Sequence, residues 1–323
     1  MKIKAVGLLS GGLDSTLAAR LILEQDIEVY AINFTSPFHA SLLKKPAQGS
    51  LDSAVKQLGS LPLKRISLGD EFISVIKNPR HGHGKGMNPC IDCRILTLNR
   101  AFVYMREIGG SFIFTGEVLG QRPMSQHRRA ISIIDNESGA AGYILRPLSA
   151  RLLEPTIPEQ KGWVDRDKLL AIKGRSRKEQ IALAKAKGIY DYPNPAGGCL
   201  LTDPHFADRL RDYFAHTGTP DINDINLLTV GRHFRLENGE KIIVARNETE
   251  CNALKFLCRG KDSLFMPNNF SGPTVLLQGE DKTAAIAMLV KYTHATIPCN
   301  GAICCMKGDK CEIIPKNDWN LTL

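Results

Sequence analysis

A double glycine followed by an aspartate stands near the start of the chain, in the segment LLSGGLDS (residues 8–15). The apolar residues before it predict a buried strand, and the residues after it begin a helix. A plain turn between the two needs one glycine at most, so Gly11 and Gly12 indicate that a ligand approaches the backbone closely. Backbone N–H groups at a helix N-terminus bind anions, and the Ser10 and Ser15 hydroxyls can donate to phosphate oxygens.

The acidic residue Asp14 restricts what this loop can bind. An aspartate next to a phosphate must either cap the helix or hold a cation. No lysine follows the second glycine, as the P-loop of kinases requires, so a bound pyrophosphate is favoured over a transferred γ-phosphate. The alternative is a plain glycine turn in which Asp14 or Ser10 caps the helix. The complete string after an apolar strand favours nucleotide binding.

Three cysteines form a second candidate site. Cys90 and Cys93 make a C-x-x-C pair in NPCIDCR, at the start of a predicted helix, and Cys199 follows in NPAGGCLLTD. The positive helix end is expected to lower the pKa of the two paired thiols. Gly197 and Gly198 would allow the backbone before Cys199 to approach a bulky group.

The residues alone leave the chemistry of these thiols open. A C-x-x-C pair can be a redox pair, half of a zinc site or part of an iron–sulfur site. A closed zinc site needs four ligands, whereas three cysteines suit a cluster with one open iron. Persulfide chemistry, in which one cysteine carries sulfur and another resolves it, competes with the cluster. Buried structural cysteines are the third interpretation.

Other segments carry weaker signals. A second group of cysteines has a spacing that fits no standard zinc or ferredoxin pattern, so we interpret its members as free thiols, with metal binding as the alternative. These are Cys299, Cys304, Cys305 and Cys311. The segment HGHGKG (81–86) is either a phosphate contact or a glycine-rich lid. HRR (127–129) and RSRK (175–178) are either contacts to an RNA backbone or solvated helix faces.

The first half of the sequence alternates apolar strands with amphipathic helices. This pattern predicts an α/β fold, a parallel doubly wound sheet covered on both faces, in which ligands bind at the carboxyl ends of the strands. Five strands and five helices are expected. The strands are KIKAVGLL, IEVYAINF, LKRISL, SFIFTG and YILRPL, and the helices cover about 14–25, 51–58, 70–76, 91–108 and 124–133.

The later residues predict two further segments. From Pro155 to about His216 no strand is expected, and SRKEQIALAKAKG reads as a helix with Ser176 as its N-cap. HFRLENGEKIIVAR predicts a hairpin that turns at Asn238-Gly239. A helix over Glu248–Leu257, a strand PTVLLQ and a helix over Asp281–His294 are expected after it, which indicates a small α+β module. We therefore predict a catalytic domain over 1–152, a helical linker segment carrying Cys199 over 153–215, and a small domain over 216–323.

Composition adds constraints on the class of protein. The 323 residues include nine cysteines and carry a formal charge of +9, and the basic excess lies in the first two thirds of the chain. A basic surface indicates a polyanionic partner. No apolar run reaches the roughly 20 residues of a membrane span, and no signal peptide is recognisable, so we expect a cytoplasmic protein without membrane contact. Cysteine clusters in a reducing compartment favour metal or redox chemistry over disulfides.

The segment LLSGGLDS resembles the PP-loop motif, SGGxDS, of the adenine-nucleotide alpha hydrolases. Members of that family cleave ATP between its α- and β-phosphates and adenylate a substrate oxygen. The resemblance implies ATP and Mg²⁺ as cofactors, a HUP-like fold, and an adenine contact at the end of the second strand. The implied nucleotide-binding residues are Leu9, Ser10, Gly11, Gly12, Asp14, Ser15, Ile32, Asn33 and Phe34.

The segment FTGEVLGQRPMSQ (114–126) is similar to the TGE-x-x-GQ segment of the 4-thiouridine synthetase branch of this family. The similarity implies five more residues beside the nucleotide, which are Thr115, Gly116, Glu117, Gly120 and Gln121. For Glu117 and Gln121 the alternative is helix capping on a surface loop. The C-terminal module resembles, more loosely, the NFACT-type RNA-binding domain. No RNA-binding extension before the PP-loop and no rhodanese domain are recognisable.

The three cysteines resemble those of iron–sulfur-dependent tRNA thiolation enzymes in the same family. The resemblance implies that Cys90, Cys93 and Cys199 hold a 4Fe-4S cluster whose free iron can carry a sulfide. The function that follows is an ATP-dependent tRNA sulfurtransferase, with Asp14 and the three cysteines as catalytic residues and a sulfur donor protein or inorganic sulfide as partner. The alternatives are sulfur insertion or amidation of a small molecule, and a non-catalytic RNA-binding protein that senses ATP.

Overall fold

The computed structural model describes residues 2–38, 51–193, 199–319 and 321, which form two compact units. The first unit contains the described residues up to Asp203, and the second contains those from Pro204 onward. No described helix combines the length and the apolar character that crossing a membrane requires. The predicted glycines before Cys199, Gly197 and Gly198, lie outside the described residues.

The first unit is built on a five-stranded parallel sheet in the order β3-β2-β1-β4-β5. Its strands are β1 (Lys4–Leu8), β2 (Glu28–Thr35), β3 (Leu63–Ser67), β4 (Phe112–Thr115) and β5 (Ile144–Leu145). Its helices are α1 (Leu13–Leu23), α2 (Leu51–Gln57), α3 (Gly69–Lys77), α4 (Cys90–Glu107), α5 (Arg128–Glu137), α6 (Ile157–Gln160) and α7 (Lys178–Ala186). The predicted fold class is confirmed for this unit, and the winding direction reverses between β1 and β4.

Alternating strand residues bury the two faces of this sheet in separate apolar clusters. Ala5 of β1 belongs to a cluster that includes Leu17 of α1 and Ala184 of α7. Val6, its neighbour on the opposite face, packs in a cluster with residues of α4 and α5. The period of two along the strand therefore produces the two-sided covering that the sequence predicts. The described residues between 153 and 203 belong to the first unit, and Val164 and Ile172 among them enter the same cluster as α1.

Three predicted details of the first unit are wrong. The fifth helix begins at Arg128 rather than near Met124, because residues 122–126 close a turn in which the Gln126 side chain accepts a hydrogen bond from the Arg122 N–H at 3.0 Å. The fifth strand has only two residues. The N-cap of α7 is Arg177, not Ser176, whose hydroxyl instead accepts a 3.4 Å hydrogen bond from the Lys178 N–H.

The second unit contains a six-stranded sheet in the order β11-β10-β8-β9-β7-β6, with every neighbouring pair antiparallel. Its strands are β6 (Arg232–Arg235), β7 (Lys241–Val244), β8 (Ser263–Pro267), β9 (Val275–Gln278), β10 (Ala302–Lys307) and β11 (Lys310–Pro315). Its helices are α8 (Pro204–His216), α9 (Ile222–Leu227), α10 (Glu248–Leu257) and α11 (Lys282–Lys291).

The predicted α+β character of the second unit is confirmed. The hairpin of β6 and β7 turns at Gly239, whose φ is +85°, a value that glycine adopts without strain. The helix predicted over Glu248–Leu257 is observed with those bounds. The sequence did not predict the hairpin of β10 and β11, because the strand sequences AICCMK and KCEIIP do not alternate apolar with polar residues. The assignment of separate functions to residues 1–152, 153–215 and 216–323 stays a prediction.

Candidate nucleotide and thiol site

The double-glycine loop lies at the carboxyl end of β1, at the point where the winding direction of the sheet reverses. Gly11 has a φ of +77°, and Gly12 is the N-cap of α1 without any side-chain cap. The N–H groups in the first turn of this 11-residue helix therefore receive no hydrogen bond from a capping side chain. The helix dipole attracts anions to this end of the helix. The loop thus has the backbone conformation that the sequence predicts, and its binding of an anion stays a prediction.

Two serines hold the loop in its shape. The Ser15 hydroxyl donates to the Gly12 carbonyl at 2.9 Å and accepts from the Ser10 N–H at 3.2 Å. The Ser10 and Ser15 hydroxyls lie 3.1 Å apart, and the Ser10 oxygen accepts from the Gly12 N–H at 3.3 Å. Both hydroxyls thus brace the backbone and stay next to the helix N-terminus, where a phosphate would also meet them.

Gly116 brings the end of β4 against this loop. A Cβ on Gly116 would lie 2.5 Å from the Ser15 nitrogen and 2.6 Å from the Asp14 carbonyl carbon, both of which are backbone atoms. Because backbone atoms cannot step aside, only glycine permits this approach. The structure therefore joins the two motifs that the sequence placed at the nucleotide, SGGLDS and TGE.

Asp14 lies in a cluster of polar side chains from three segments. Its Oδ2 accepts a 2.8 Å hydrogen bond from Gln121 and lies 3.6 Å from the Arg177 guanidinium. Gln180 donates to Gln121 at 3.3 Å, which completes the cluster. Among the described residues, three buried atoms of this cluster have no hydrogen-bond partner: Asp14 Oδ1, Arg177 Nε and Gln180 Oε1. Buried polar atoms are normally paired, so this concentration indicates a site for a polar ligand.

Arg177 and Gln180 were not predicted as site residues. For the segment 175–178, only an RNA contact or a solvated helix face was predicted, because nothing in the local sequence shows what the start of a helix will contact. Their position follows from a short pairing in which Gly174 N–H donates to the Leu119 carbonyl at 2.7 Å. Gly120, predicted beside the nucleotide, has a φ of +78° and faces Gly174 in this pairing.

The residues predicted to contact adenine have structural contacts as well. The Asn33 side chain donates a 2.8 Å hydrogen bond to the Leu9 carbonyl, and the Ile32 carbonyl accepts from the Leu9 N–H at 2.9 Å. Leu9 itself is buried, and Phe34 packs against the cluster that covers the α4 face of the sheet. These residues therefore fix the strand end from which the loop leaves, and their contact with a base stays a prediction.

Glu117 connects the end of β4 to the first turns of α4. It is 3% exposed, and its two carboxylate oxygens accept from Arg94 Nε at 2.8 Å and from Arg146 Nε at 2.9 Å. Arg146 also donates two hydrogen bonds to Asp135, at 2.9 and 2.7 Å. Burial alone would raise the pKa of Glu117, but the two guanidinium groups together hold it below its ordinary value. Glu117 is thus neither a surface cap nor exposed to a ligand, whereas Thr115, also buried, hydrogen-bonds to it.

The C-x-x-C pair occupies the first turn of α4, as predicted, next to Arg94. Cys90 is the first residue of the helix, and the Cys93 N–H donates to the Pro89 carbonyl at 2.8 Å. The buried Asn88 donates from its amide to the Cys90 sulfur at 3.1 Å. Asn88 was not predicted as a site residue, and the NPC string that contains it was the only available signal.

Cys199 reaches the same region through backbone pairing. The Met87 N–H donates to the Leu201 carbonyl at 2.8 Å, and the Cys199 thiol donates to the Phe38 carbonyl at 3.6 Å. A Cβ on Gly86 would lie 2.2 Å from the Leu201 oxygen, so a glycine is needed for this approach. The structure therefore brings the segment carrying Cys199 against the loop that precedes the C-x-x-C pair.

The three thiols influence one another electrostatically. Burial raises the pKa of Cys93 to about 12, and nearby Cys199 and Cys90 contribute to the increase. Burial also raises the pKa of Cys199 to about 11, with Cys90 again contributing and Arg122 opposing. The lowering expected from the helix end is therefore wrong for Cys93, because desolvation outweighs the helix field. Within the described ranges, no three His, Cys, Asp or Glu side chains are arranged to hold a metal ion as they stand.

Two other predicted segments contact protein groups. The His81 ring lies 3.0 Å from Glu137, and the His83 ring lies 2.7 Å from the Ile76 carbonyl. The Asp92 carboxylate accepts from the N–H groups of residues 80 and 81, which ties the HGHGKG segment to the C-x-x-C helix. His127 is the N-cap of α5, accepting from the Ala130 N–H at 3.2 Å, so it has a structural role.

Comparison with known proteins matches each unit to a family. Residues 1–151 match the family described as thiamine biosynthesis protein (ThiI), and residues 231–307 match the NFACT protein RNA binding domain. The resemblance of the first unit to the thiouridine synthetase branch, and that of the second to the NFACT type, is confirmed. Cys199, Arg177 and Gln180 lie outside both matched ranges.

Individual relatives are distant and longer than the matched part of this chain. A probable tRNA sulfurtransferase of Ureaplasma parvum is 27% identical over 161 residues, which cover 46% of this chain and 37% of the relative. The tRNA-specific 2-thiouridylase MnmA of Dichelobacter nodosus is 22% identical over 221 residues, covering 65% and 54%. A crystal structure of a 4-thiouridine synthetase–RNA complex with bound ATP aligns at 20% identity and a TM-score of 0.40, covering 70% and 52%. The chain thus spans between about a third and a half of the curated relatives' length.

Proposed function

We propose that this protein is an ATP-dependent tRNA sulfurtransferase, which adenylates a base oxygen and replaces it with sulfur. The proposal rests on the structural connection between the double-glycine loop and the helix that carries Cys90 and Cys93. Gly116 abuts the double-glycine loop, and the next residue, Glu117, pairs with Arg94, which follows Cys93. Thiolation needs both an oxygen made into a leaving group and a sulfur delivered to the same carbon. The family matches of both units support the same activity.

The loop supplies the binding site for the leaving pyrophosphate. The N-terminus of α1 and the hydroxyls of Ser10 and Ser15 stabilise the negative charge that develops when the bond between the α- and β-phosphates breaks. Arg177 adds a positive charge 3.6 Å from the Asp14 carboxylate. A carbonyl oxygen of the base attacks the α-phosphorus, pyrophosphate leaves, and the base carries an AMP group on its former carbonyl oxygen.

The residues around Asp14 fit a magnesium ion. Asp14 Oδ1 is buried and has no hydrogen-bond partner among the described residues, and carboxylate oxygens are the ligands that Mg²⁺ prefers. Gln121 holds the other carboxylate oxygen at 2.8 Å, which fixes the direction of the free one. When bound, the ion would neutralise phosphate charge during the displacement. Asp14 would hold it, and Gln121 acts as a positioning residue.

The three cysteines supply the thiol donors that a soft, positively charged group prefers, although among the described residues they are not arranged around one metal position. Burial raises the pKa of Cys93 and of Cys199, and binding of iron would compensate the cost of forming their thiolates. We therefore assign Cys90, Cys93 and Cys199 as the residues that would hold a 4Fe-4S cluster, which would supply a site for sulfide. Persulfide transfer by the same cysteines is the competing route. In the cluster route, sulfide would attack the carbon that bears the AMP group, and AMP would leave with the former base oxygen. In the persulfide route, the outer sulfur of a cysteine persulfide would attack that carbon and AMP would leave. A second cysteine would then break the S–S bond and form a disulfide with the carrier cysteine, which an external thiol reduces.

The second unit supports an RNA substrate. Its match to an RNA-binding domain covers residues 231–307, and within that range Phe256 is 87% exposed on α10. Lys255 precedes it and Arg259 follows, and both line a cleft of about 440 Å³. Unpaired bases stack on exposed aromatic rings and their phosphates pair with cations, and this part of the second unit carries both kinds of side chain. We propose that this surface contacts the tRNA.

The test is an assay of pyrophosphate release and of labelled sulfur entering unmodified tRNA transcripts, with sulfide as donor. Asp14→Asn should reduce pyrophosphate release by about 10²–10³-fold, since one charged group in the transition state is lost. Asp70→Asn, in the first turn of α3, is the matched control and should leave the rate unchanged. Cys199→Ser should abolish sulfur transfer while adenylation of the tRNA persists.

Three outcomes would contradict the proposal. Full pyrophosphate release by Asp14→Asn would remove the loop from the chemistry. Release that does not depend on RNA would favour a small-molecule substrate. RNA binding without any turnover would favour an ATP-sensing protein. Iron and acid-labile sulfide, measured in anaerobically purified protein and lost in each cysteine variant, would distinguish the cluster from the persulfide route.

A further inference from the structure

The hairpin of β10 and β11 places two cysteines on one face of the second unit's sheet. Its register pairs Cys304 with Ile313 and Met306 with Cys311. Residues two apart on a strand share a face, so Cys304 and Cys311 are diagonal neighbours across the hairpin. Their sulfur atoms lie 2.9 Å apart, about 0.9 Å more than the roughly 2.0 Å of a disulfide bond.

The structure separates these two thiols from the other cysteines nearby. Cys305 lies on the opposite face, is 4% exposed and packs in the core of the unit with residues such as Phe265. Cys299 is exposed and precedes the hairpin. Cys311 is exposed and Cys304 is partly so. The four cysteines that the sequence grouped together therefore have three different environments, and only one pair is in contact.

We propose that Cys304 and Cys311 form a reversible dithiol–disulfide site. The proposal is independent of the thiolation activity, since both residues belong to the second unit. A metal site is less suited to the pair, because no third His, Cys, Asp or Glu joins it in the described part of the chain and structural zinc needs four ligands. Oxidation needs only the two sulfurs that already meet.

The oxidant is a low-molecular-weight disulfide, RSSR. The exposed Cys311 thiolate attacks one sulfur of RSSR, which forms a mixed disulfide and releases one RS⁻. The Cys304 sulfur then attacks the Cys311 sulfur, the second RS⁻ leaves, and the Cys304–Cys311 bond forms. RSSR is reduced to two RSH, which take up the two protons lost by the cysteines. Exchange with RSH reverses both steps.

The order of attack follows from the surroundings of each thiol. Burial, together with the neighbouring Cys311, raises the pKa of Cys304 to about 11, so it is the poorer first nucleophile. Gly308, with a φ of +59°, forms the turn, and the six paired positions of the ladder fix the two strands before any bond forms. Closing the bond therefore orders little additional chain, and the exposed position makes it accessible to reduction.

The experiment treats the full chain with glutathione disulfide at neutral pH and maps tryptic peptides without reduction. Cleavage after Lys291, Lys307, Lys310 and Lys316 puts Cys304 and Cys311 on separate peptides, 292–307 and 311–316. We expect these two peptides to be joined, with the protein monomeric on a non-reducing gel and the link lost after dithiothreitol.

Variants identify the bond. Cys304→Ser and Cys311→Ser should each abolish the link, and Cys299→Ser, which changes an exposed cysteine on the same 292–307 peptide, should retain it. Persistence of the link in Cys304→Ser would overturn the proposal, as would a link found only in a covalent dimer. Accumulation of a stable glutathione adduct on Cys311, without the intramolecular bond, would also overturn it. Circular dichroism of each variant verifies that the fold is retained.

Discussion

Replacing Glu117 by glutamine should destabilise the first unit, because this buried carboxylate pairs with two arginines. The change keeps the size of the side chain and removes its charge. Glutamine can still accept from one arginine through its oxygen, but its amide nitrogen then faces the donor of the other. The loss therefore includes one charge-assisted hydrogen bond and the compensation of buried positive charge.

The surroundings of Glu117 set the magnitude. The side chain of Arg146 is 2% exposed but keeps both hydrogen bonds to Asp135, whereas that of Arg94 is 28% exposed and can gain water. Breaking a buried ion pair by removing one partner costs about 3–5 kcal/mol, and the remaining contacts place Glu117→Gln at the lower end, at about 3 kcal/mol. With a urea dependence of about 2–3 kcal/mol per M, the midpoint of unfolding should fall by about 1 M or slightly more.

The assay must report on the first unit alone. The chain has two tryptophans, Trp163 in the first unit and Trp319 in the second, so Trp163 fluorescence in a Trp319→Phe background follows the required transition. Glu107→Gln is the matched control, because Glu107 pairs with Lys64 at 3.3 Å on the surface and its side chain is 55% exposed. That variant should leave the midpoint unchanged.

Dependence on pH provides the decisive comparison. The folded pKa of Glu117 lies below its unfolded value of about 4.3, so its contribution is complete above pH 5 and is lost as the pH falls through the folded pKa. The difference between wild type and Glu117→Gln should therefore be constant from pH 5 to 8 and become smaller below about pH 4. A difference that is small at pH 7, or that does not change in acid, would refute the role of the charge.

Two further predictions concern other sites. Gly116→Ala should abolish ATP binding, measured by calorimetry, because the new Cβ would lie 2.5 Å from the Ser15 nitrogen. Gly260→Ala is the control and should bind ATP normally, because nothing lies within 4 Å of its new Cβ. Undiminished ATP binding by Gly116→Ala would show that the loop can shift. Burial lowers the pKa of Lys241 to about 8, although Asp212 opposes the shift, so folding favours the neutral amine. The free energy of unfolding of the second unit should therefore rise by up to about 3 kcal/mol between pH 8 and 10.4, relative to that of Lys241→Met. Trp319 fluorescence in a Trp163→Phe background measures it, and parallel pH profiles of the two proteins would contradict this prediction.

The sequence predicts those features that depend on local pattern. The strand-to-helix turn at residues 8–15 and the helix that begins at Cys90 follow from glycine placement and apolar periodicity, and both are observed. The roles of Glu117 and Arg177 could not be predicted in this way. Glu117 is buried because Arg94 and Arg146, 23 and 29 residues away, reach it together. Neither distance leaves a periodic signal in the sequence.

The same limit applies to the cysteines. The sequence grouped Cys304 with Cys305 because they are adjacent, but adjacent strand residues face opposite sides of a sheet. Their separation into a core residue and a paired thiol follows from the register of β10 with β11. For Cys199, the opposite holds. Cys199 is more than a hundred residues from Cys90 and Cys93 in the sequence, and no local pattern shows that they are close in space. The hydrogen bond from the Met87 N–H to the Leu201 carbonyl brings Cys199 to the C-x-x-C helix.

In the proposed reaction, the buried ion pairs around Glu117 would allow the double-glycine loop and the three cysteines to act on one base. Arg94 lies one residue after Cys93 on α4 and pairs with Glu117. Glu117 in turn lies one residue after Gly116, which contacts the double-glycine loop. A shift of α4 relative to β4 would separate a buried carboxylate from its guanidinium partner, which is costly at this depth. The distance between the thiols and the loop is therefore fixed by the fold before any substrate binds. Sulfur transfer requires such a fixed distance, because an adenylated base must meet the sulfur before water reaches it.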